Sequence, residues 1–184
     1  VYLYSTDTAF IEDIFATADL DLDTKQGILT MDTKINFSWE IGRNKDYDGK
    51  TFTGPEEDYL LTARLYDENE EIFTRSGTVE HEYRNARYRI KWEDRINGIT
   101  PWSAENPKLY TFVFELSEKN GTVIDVRTFK TGFRNIKIED RELLINGMPV
   151  MIKGVNRHEH DDTTGKTISR ETMIADIKLL KQFN

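Results

Sequence analysis

Tyr110-Thr111-Phe112-Val113-Phe114-Glu115-Leu116 decides the fold. Tyr, Phe, Phe and Leu occupy alternate positions, so an extended chain here has one large apolar face. Successive side chains of a strand point to opposite sides, and this period of two marks a half-buried strand. Glu118-Lys119-Asn120-Gly121 follows, then a further run from Thr122 to Phe133, so the two runs form a predicted hairpin. Upstream, Tyr88, Ile90 and Trp92 repeat the pattern, as do Tyr59, Leu61, Ala63 and Leu65. From Met31 to Ile41 the odd positions are Met, Thr, Ile, Phe, Trp and Ile, while Asn36, Ser38 and Glu40 take the other face. Ile14, Ala16, Ala18 and Leu20 give the earliest strand. Asp48-Gly49, Gly54-Pro55 and Asn97-Gly98 supply turns between runs. Six or seven strands over about 125 residues predict a mainly β fold, an antiparallel two-sheet sandwich of immunoglobulin-like type. A small barrel would share the periodicity.

After Arg134 the pattern changes. Ile136 to Ile138 and Leu143 to Ile145 are predicted short strands, with Asn146-Gly147 as a tight turn. Val150 to Val155 is almost continuously apolar, the signature of a strand covered on both faces, as in parallel sheets. Thr163-Thr164-Gly165-Lys166 reads as a loop, and Ser169 as a helix N-cap with Glu171 in the first turn. Met173, Ile174, Ile177 and Leu180 then form one apolar helical stripe. Strand, polar loop and helix together are the first βα unit of a parallel barrel. One unit cannot close a barrel, so the sequence predicts a truncated TIM barrel belonging to a larger enzyme.

The chain has 184 residues, 38% of them hydrophobic and 11% aromatic, enough for a packed core. Its charged fraction of 32% is dispersed, which argues against disorder. With 25 Lys+Arg against 33 Asp+Glu the net charge is -8, and no basic stripe is present; nucleic acid and anionic membranes are poor partners. There are no cysteines, which excludes disulfides and thiolate metal sites and leaves the compartment open. No apolar run approaches the roughly 18 residues that span a bilayer. Val1-Tyr2-Leu3-Tyr4 reads as the middle of a strand, so the parent's N-terminus is expected elsewhere.

Gly154-Val155-Asn156-Arg157-His158-Glu159-His160 gathers polar, ionisable side chains where barrel enzymes keep their chemistry, after a strand and before a helix. His158 and His160 share a side in a strand-like continuation. With Asp161 or Asp162 they could hold Zn²⁺, although the spacing matches no closed motif. A histidine here could equally bond loop backbone. Asn44-x-Asp46-x-Asp48-Gly49 resembles a calcium loop, but its twelfth position is Pro55 and the better reading is a solvated turn. Asp19, Asp21 and Asp23 alternate along a predicted solvent-facing strand edge. Trp39, Trp92 and Trp102 could form a sugar-stacking platform, but period two assigns the first two to the core. Asn36-Phe37-Ser38 and Asn120-Gly121-Thr122 match the glycosylation sequon.

Several segments, in order, resemble the β-galactosidases of glycoside hydrolase family 2. They are Trp102-Ser103-Ala104-Glu105-Asn106-Pro107-Lys108-Leu109-Tyr110, Gly132-Phe133-Arg134, Leu144-Ile145-Asn146-Gly147-Met148-Pro149-Val150, Lys153 to His160, and the helix Met173 to Lys181. Val1-Tyr2-Leu3-Tyr4 resembles the last strand of the family's sugar-binding jelly roll. The resemblance implies that residues 1–5 end a jelly roll, 6–135 form the sandwich, and 136–184 are a linker and barrel start. It further implies a retaining enzyme of carbohydrate metabolism that hydrolyses terminal β-galactosides. Such hydrolysis needs two carboxylates about 5–5.5 Å apart, and the resemblance places both on glutamates downstream of this chain. The 184 residues alone are therefore expected to be inactive, and no catalytic residue is assigned within them. His158 aligns with a histidine of the galactoside pocket and is the implied substrate contact; Asn156, Arg157, Glu159 and His160 are its supports. Many lac-type members continue with His-Pro where Asp161-Asp162 stands here, so the carry-over ends at His160. No cofactor or metal is assigned to these residues, although the parent could use a divalent metal. The parent is expected to be a homo-oligomer, cytoplasmic or periplasmic in a bacterium. Alternatives are another family 2 activity, β-glucuronidase or β-mannosidase, or a non-catalytic sandwich that binds carbohydrate or protein.

Overall fold

The computed structural model describes residues 3–7, 9–37, 59–82 and 87–183, with only the backbone described at 80–82 and 87. The stretch Trp39–Asp48, the turn Gly54-Pro55, Ser38 and Val1-Tyr2 lie outside the described residues, and with them the calcium-loop and Trp39 readings.

Among the described residues eight strands build the sandwich: β1 (Ala9–Leu20), β2 (Gly27–Phe37), β3 (Tyr59–Asp67), β4 (Glu70–Thr78), β5 (Glu80–Glu82), β6 (Arg87–Ile96), β7 (Tyr110–Glu118) and β8 (Val123–Thr131). They form two antiparallel sheets, ordered β1-β2-β6-β5 and β4-β3-β7-β8. Alternation sets the register: Met31 opposes Trp92 in one sheet, and Ala63 opposes Phe114 in the other. Leu29, Met31, Ile35, Ile90 and Trp92 thus join Leu61, Ala63, Leu65, Phe112, Phe114 and Leu116 in one buried core. Each Leu, Ile, Met or Phe among them contributes about 1.5–3 kcal/mol by leaving water. Phe112 and Phe114 also stack on Phe129, with centroids 5.5 and 5.8 Å away. Tyr110 is buried at the start of β7, and its hydroxyl accepts the Thr100 N–H at 2.8 Å. This is the tyrosine-corner device of such sandwiches.

The β7–β8 hairpin closes as expected. Gly121 N–H donates to the Glu118 carbonyl, Asn120 Oδ1 accepts the Thr122 N–H at 2.8 Å, and Gly121 takes a φ of 90°. Neither β4 nor the three-residue β5 is legible from alternation. In β4 a bulge leaves Ile72 unpaired between Phe73, opposite Leu65, and Glu71, opposite Tyr66. Two apolar residues then stand side by side, and period two fails. After β4 the chain crosses to the other sheet at buried Val79, whose N–H donates to the Tyr59 carbonyl.

The Asp19, Asp21 and Asp23 reading is corrected. β1 ends at Leu20, so the three do not share a strand face. Asp19 Oδ1 instead accepts the Leu20 N–H and the Asn135 Nδ2, at 2.7 and 3.0 Å. Asp21 caps the following turn, accepting the N–H groups of Asp23 and Thr24, and pairs with Arg95 at 2.7 Å. The Thr24 N–H and then the Arg95 guanidinium hold the Asp21 carboxyl well below the usual carboxylate range.

A small sheet follows, ordered β11-β10-β9, from β9 (Ile136–Glu139), β10 (Glu142–Ile145) and β11 (Met148–Pro149). The turn between β10 and β11 places Asn146 and Gly147 at φ 52° and 78°, as two-residue hairpin loops require. Asn146 is also the anchor. Its Oδ1 accepts the Asn135 N–H and its Nδ2 donates to the Trp102 carbonyl, both at 2.9 Å. Trp102 N–H in turn donates to the Phe133 carbonyl at 2.8 Å. The chain divides into two compact units, Val1–Val150 and Met151–Asn184, so the small sheet packs with the sandwich.

The strand expected over Val150 to Val155 is not formed: residues 151–160 carry no strand pairing. A strand needs a neighbour to take its backbone N–H and C=O groups, and none of the described residues supplies one. Met151 and Ile152 are 81% and 79% exposed. The helix α1 (Arg170–Phe183) forms where expected, with Ser169 Oγ accepting the Thr172 N–H at 3.1 Å. Its apolar stripe is open, Ile177 being 56% exposed.

Candidate functional site

Asn156, Arg157, His158, Glu159 and His160 all lie in the exposed segment between Met151 and the turn at Asp161. The turn is closed by reciprocal backbone bonds between Asp161 and Gly165, at 2.8 and 2.9 Å. Asp161 Oδ1 accepts the N–H groups of Thr163 and Thr164, each at 2.9 Å. Those two donors, Thr164 first, pull the Asp161 carboxyl below its ordinary range. Asp161 Oδ1 thus serves the turn. Among the described residues no three His, Asp or Glu side chains gather into a metal-holding group.

Arg157 is the member of the segment that is held. Its Nε donates to Asp176 Oδ2 at 2.7 Å, and its Nη2 lies 2.6 Å from the same oxygen. Asp176, on the second turn of α1, takes the Arg157 charge. Asp176 carried no sequence signal beyond its place in the helix. His158 and His160 are exposed.

Trp102 does not present a free stacking face. The Arg134 guanidinium carbon sits 4.5 Å from its ring centroid, and Gly132 lies so close that an added Cβ would come within 2.8 Å of the ring system. Trp92 is buried, as its place in the alternation requires. Asn120 of the second sequon uses its side chain to close the β7–β8 turn.

The sandwich unit has an open polar cleft of about 740 Å³, lined by residues that include Tyr4, Asp7, Phe10, Glu12, Asn36, Asp125 and Arg127. Asp125 there accepts the Ile11 N–H at 2.8 Å, which the bulge between Ile11 and Asp13 frees from the ladder, and it pairs with Arg127. Both charges are thus engaged in structure.

Residues 9–134 match the family described as glycosyl hydrolases family 2, and residues 136–184 match its TIM barrel domain. The whole chain is 34% identical to the β-galactosidase of Streptococcus thermophilus and 32% identical to that of Priestia megaterium. It spans 16% and 17% of the length of those curated relatives. In structure, 94% of the chain superposes on 26% of Bifidobacterium dentium β-glucuronidase, solved with coumarin-3-O-glucuronide, at a TM-score of 0.72 and 21% identity. Against Parabacteroides merdae β-glucuronidase the TM-score is 0.71 at 18% identity, over 95% of this chain and 20% of the other. At such identities these two likenesses establish the fold alone. No described helix is long and apolar enough to cross a membrane.

Proposed function

The chain belongs to the glycosyl hydrolases of family 2, and on that premise we propose that it is part of a retaining β-galactosidase that hydrolyses terminal β-galactosides. The observation that carries this reading is the whole-chain likeness to β-galactosidases, 34% identical over 184 residues in one case. Retention requires a nucleophilic carboxylate and an acid/base carboxylate about 5–5.5 Å apart, acting through a covalent glycosyl-enzyme intermediate. Both are assigned to glutamates outside these 184 residues. The sandwich is the scaffold, and the segment from Gly154 to His160 is one wall of the sugar pocket. His158 donates or accepts a hydrogen bond at a sugar hydroxyl, while Asn156, Arg157, Glu159 and His160 support that wall. A divalent metal and a homo-oligomeric assembly, if present, belong to the full-length enzyme.

The second reading is another family 2 activity, such as β-glucuronidase; the structural likeness to enzymes so named reflects the shared fold alone. A glucuronide carries a carboxylate, whose recognition calls for an available cation. Arg157, the cation next to His158, is paired with Asp176 and is not the group offered to such a carboxylate. The full-length enzyme should therefore hydrolyse a chromogenic β-galactoside far faster than the matching β-glucuronide. The reverse preference would overturn the assignment. Turnover by the 184-residue chain alone would overturn the placement of the catalytic carboxylates.

A further inference from the structure

We propose that Asp176 is a positioning residue for the sugar pocket, holding Arg157 and through it the backbone at His158. This inference rests on the reading of His158 as the sugar contact. Among the described residues, the Arg157–Asp176 pair is the one side-chain tie made by the segment 151–160. Among the described residues that segment has no strand partner. Asp176, by contrast, sits on a regular helix whose N-terminus is capped by Ser169 and entered through the closed Asp161–Gly165 turn. The pair therefore ties the segment that carries His158 to the helix, across 19 residues of sequence.

The geometry suits that task. Two guanidinium nitrogens, Nε and Nη2, approach a single oxygen of Asp176, which fixes the plane of the guanidinium as well as its distance. Arg157 directly precedes His158, so fixing its side chain narrows the backbone angles that aim the imidazole. Both partners are partly open to solvent, with side chains 28% and 42% exposed. Exposed pairs add little to stability. Its effect should therefore appear in catalysis and scarcely in melting.

The test uses the full-length enzyme with whichever of a β-galactoside or a β-glucuronide the wild type cleaves. The preferred substrate judges the functional reading, and the variants judge the clamp. Asp176→Ala is expected to lower kcat/KM about 10-fold, since sub-ångström to ångström misplacement costs rate. The loss should fall mainly on kcat, with Tm nearly unchanged. Asp176→Glu, which keeps the carboxylate, should recover most of the activity. Arg157→Lys should not, because an ammonium cannot reproduce the two-nitrogen contact. The double variant Arg157→Ala/Asp176→Ala should be no worse than Arg157→Ala alone. Normal kinetics in Asp176→Ala, multiplicative losses in the double variant, or an activity loss matched by a fall in Tm and not recovered by Asp176→Glu would each overturn the proposal.

Discussion

The sandwich and the unit that follows it place the same residue types in opposite environments. Phe112, Phe114 and Leu116 are fully buried, whereas Met151, Ile152, Val155 and Ile177 are each more than half exposed. One region satisfies its backbone in ladders and its apolar faces in a shared core. The other has a capped helix, a closed turn and one ion pair holding an unpaired segment. Within these 184 residues the packed core lies in the sandwich, while the residues proposed for sugar recognition lie in the exposed segment.

The largest expected effect sets a core residue against its counterpart in the second unit. Phe112→Ala should destabilise the 184-residue chain by about 3–5 kcal/mol, because a fully buried ring is replaced by a cavity. Ile177→Ala, on the open helix stripe, should stay within about 0.5 kcal/mol. Urea unfolding measures both, and comparable losses would break the division.

Glycines give a sharper version of the same contrast. A Cβ on Gly132 would lie 2.8 Å from Trp102 atoms and 2.9 Å from the Lys108 carbonyl oxygen, while one on Gly154 would meet nothing within 4 Å. Gly132→Ala should cost about 1–3 kcal/mol through overpacking. Gly154→Ala should be neutral or slightly stabilising, since it only restricts the unfolded chain.

Hydrogen exchange should divide the chain in the same place. Amides of β2 and β7 are expected to exchange only on global unfolding, and those of 151–160 to exchange near the rate of free peptide. Equal protection would mean that the second unit is covered in solution.

The smallest effect concerns acid. Asp32 pairs with Arg89 across the outer face of β2 and β6, and that bond, opposed by burial, holds its carboxyl below the usual range. A depressed folded pKa contributes stability that is present above the unfolded value, near 3.9, and is lost as pH falls through the folded one. Asp32→Asn should therefore flatten the decline of Tm below about pH 4 and lower Tm slightly at neutral pH.

Much of this was legible in sequence, for a reason visible in particular strands. Tyr110 to Leu116 alternates without interruption and its expected face is the buried one, because each side of a strand in a sandwich meets a single environment. The Ile72 bulge breaks the period and hides β4 from alternation. Residues 150–155 have the apolar composition of a buried strand, but composition does not supply a neighbour. The site is less legible still. His158 and its neighbours could be named from their residue types and the family resemblance, whereas Asp176 could not. It lies 19 residues downstream of Arg157, and only folding brings the two together.

The division of labour is tested most directly by His158→Ala in the full-length enzyme, with kcat/KM on a β-galactoside and Tm measured on the same preparation. A hydrogen bond to the sugar that strengthens in the transition state is worth on the order of 2–4 kcal/mol in a dry pocket. The variant should therefore lose roughly 30- to 1,000-fold in kcat/KM, with Tm almost unchanged, while His160→Ala keeps most of its activity. A fall in Tm with near-normal kinetics in the folded fraction, or identical behaviour of the two histidine variants, would contradict the assignment.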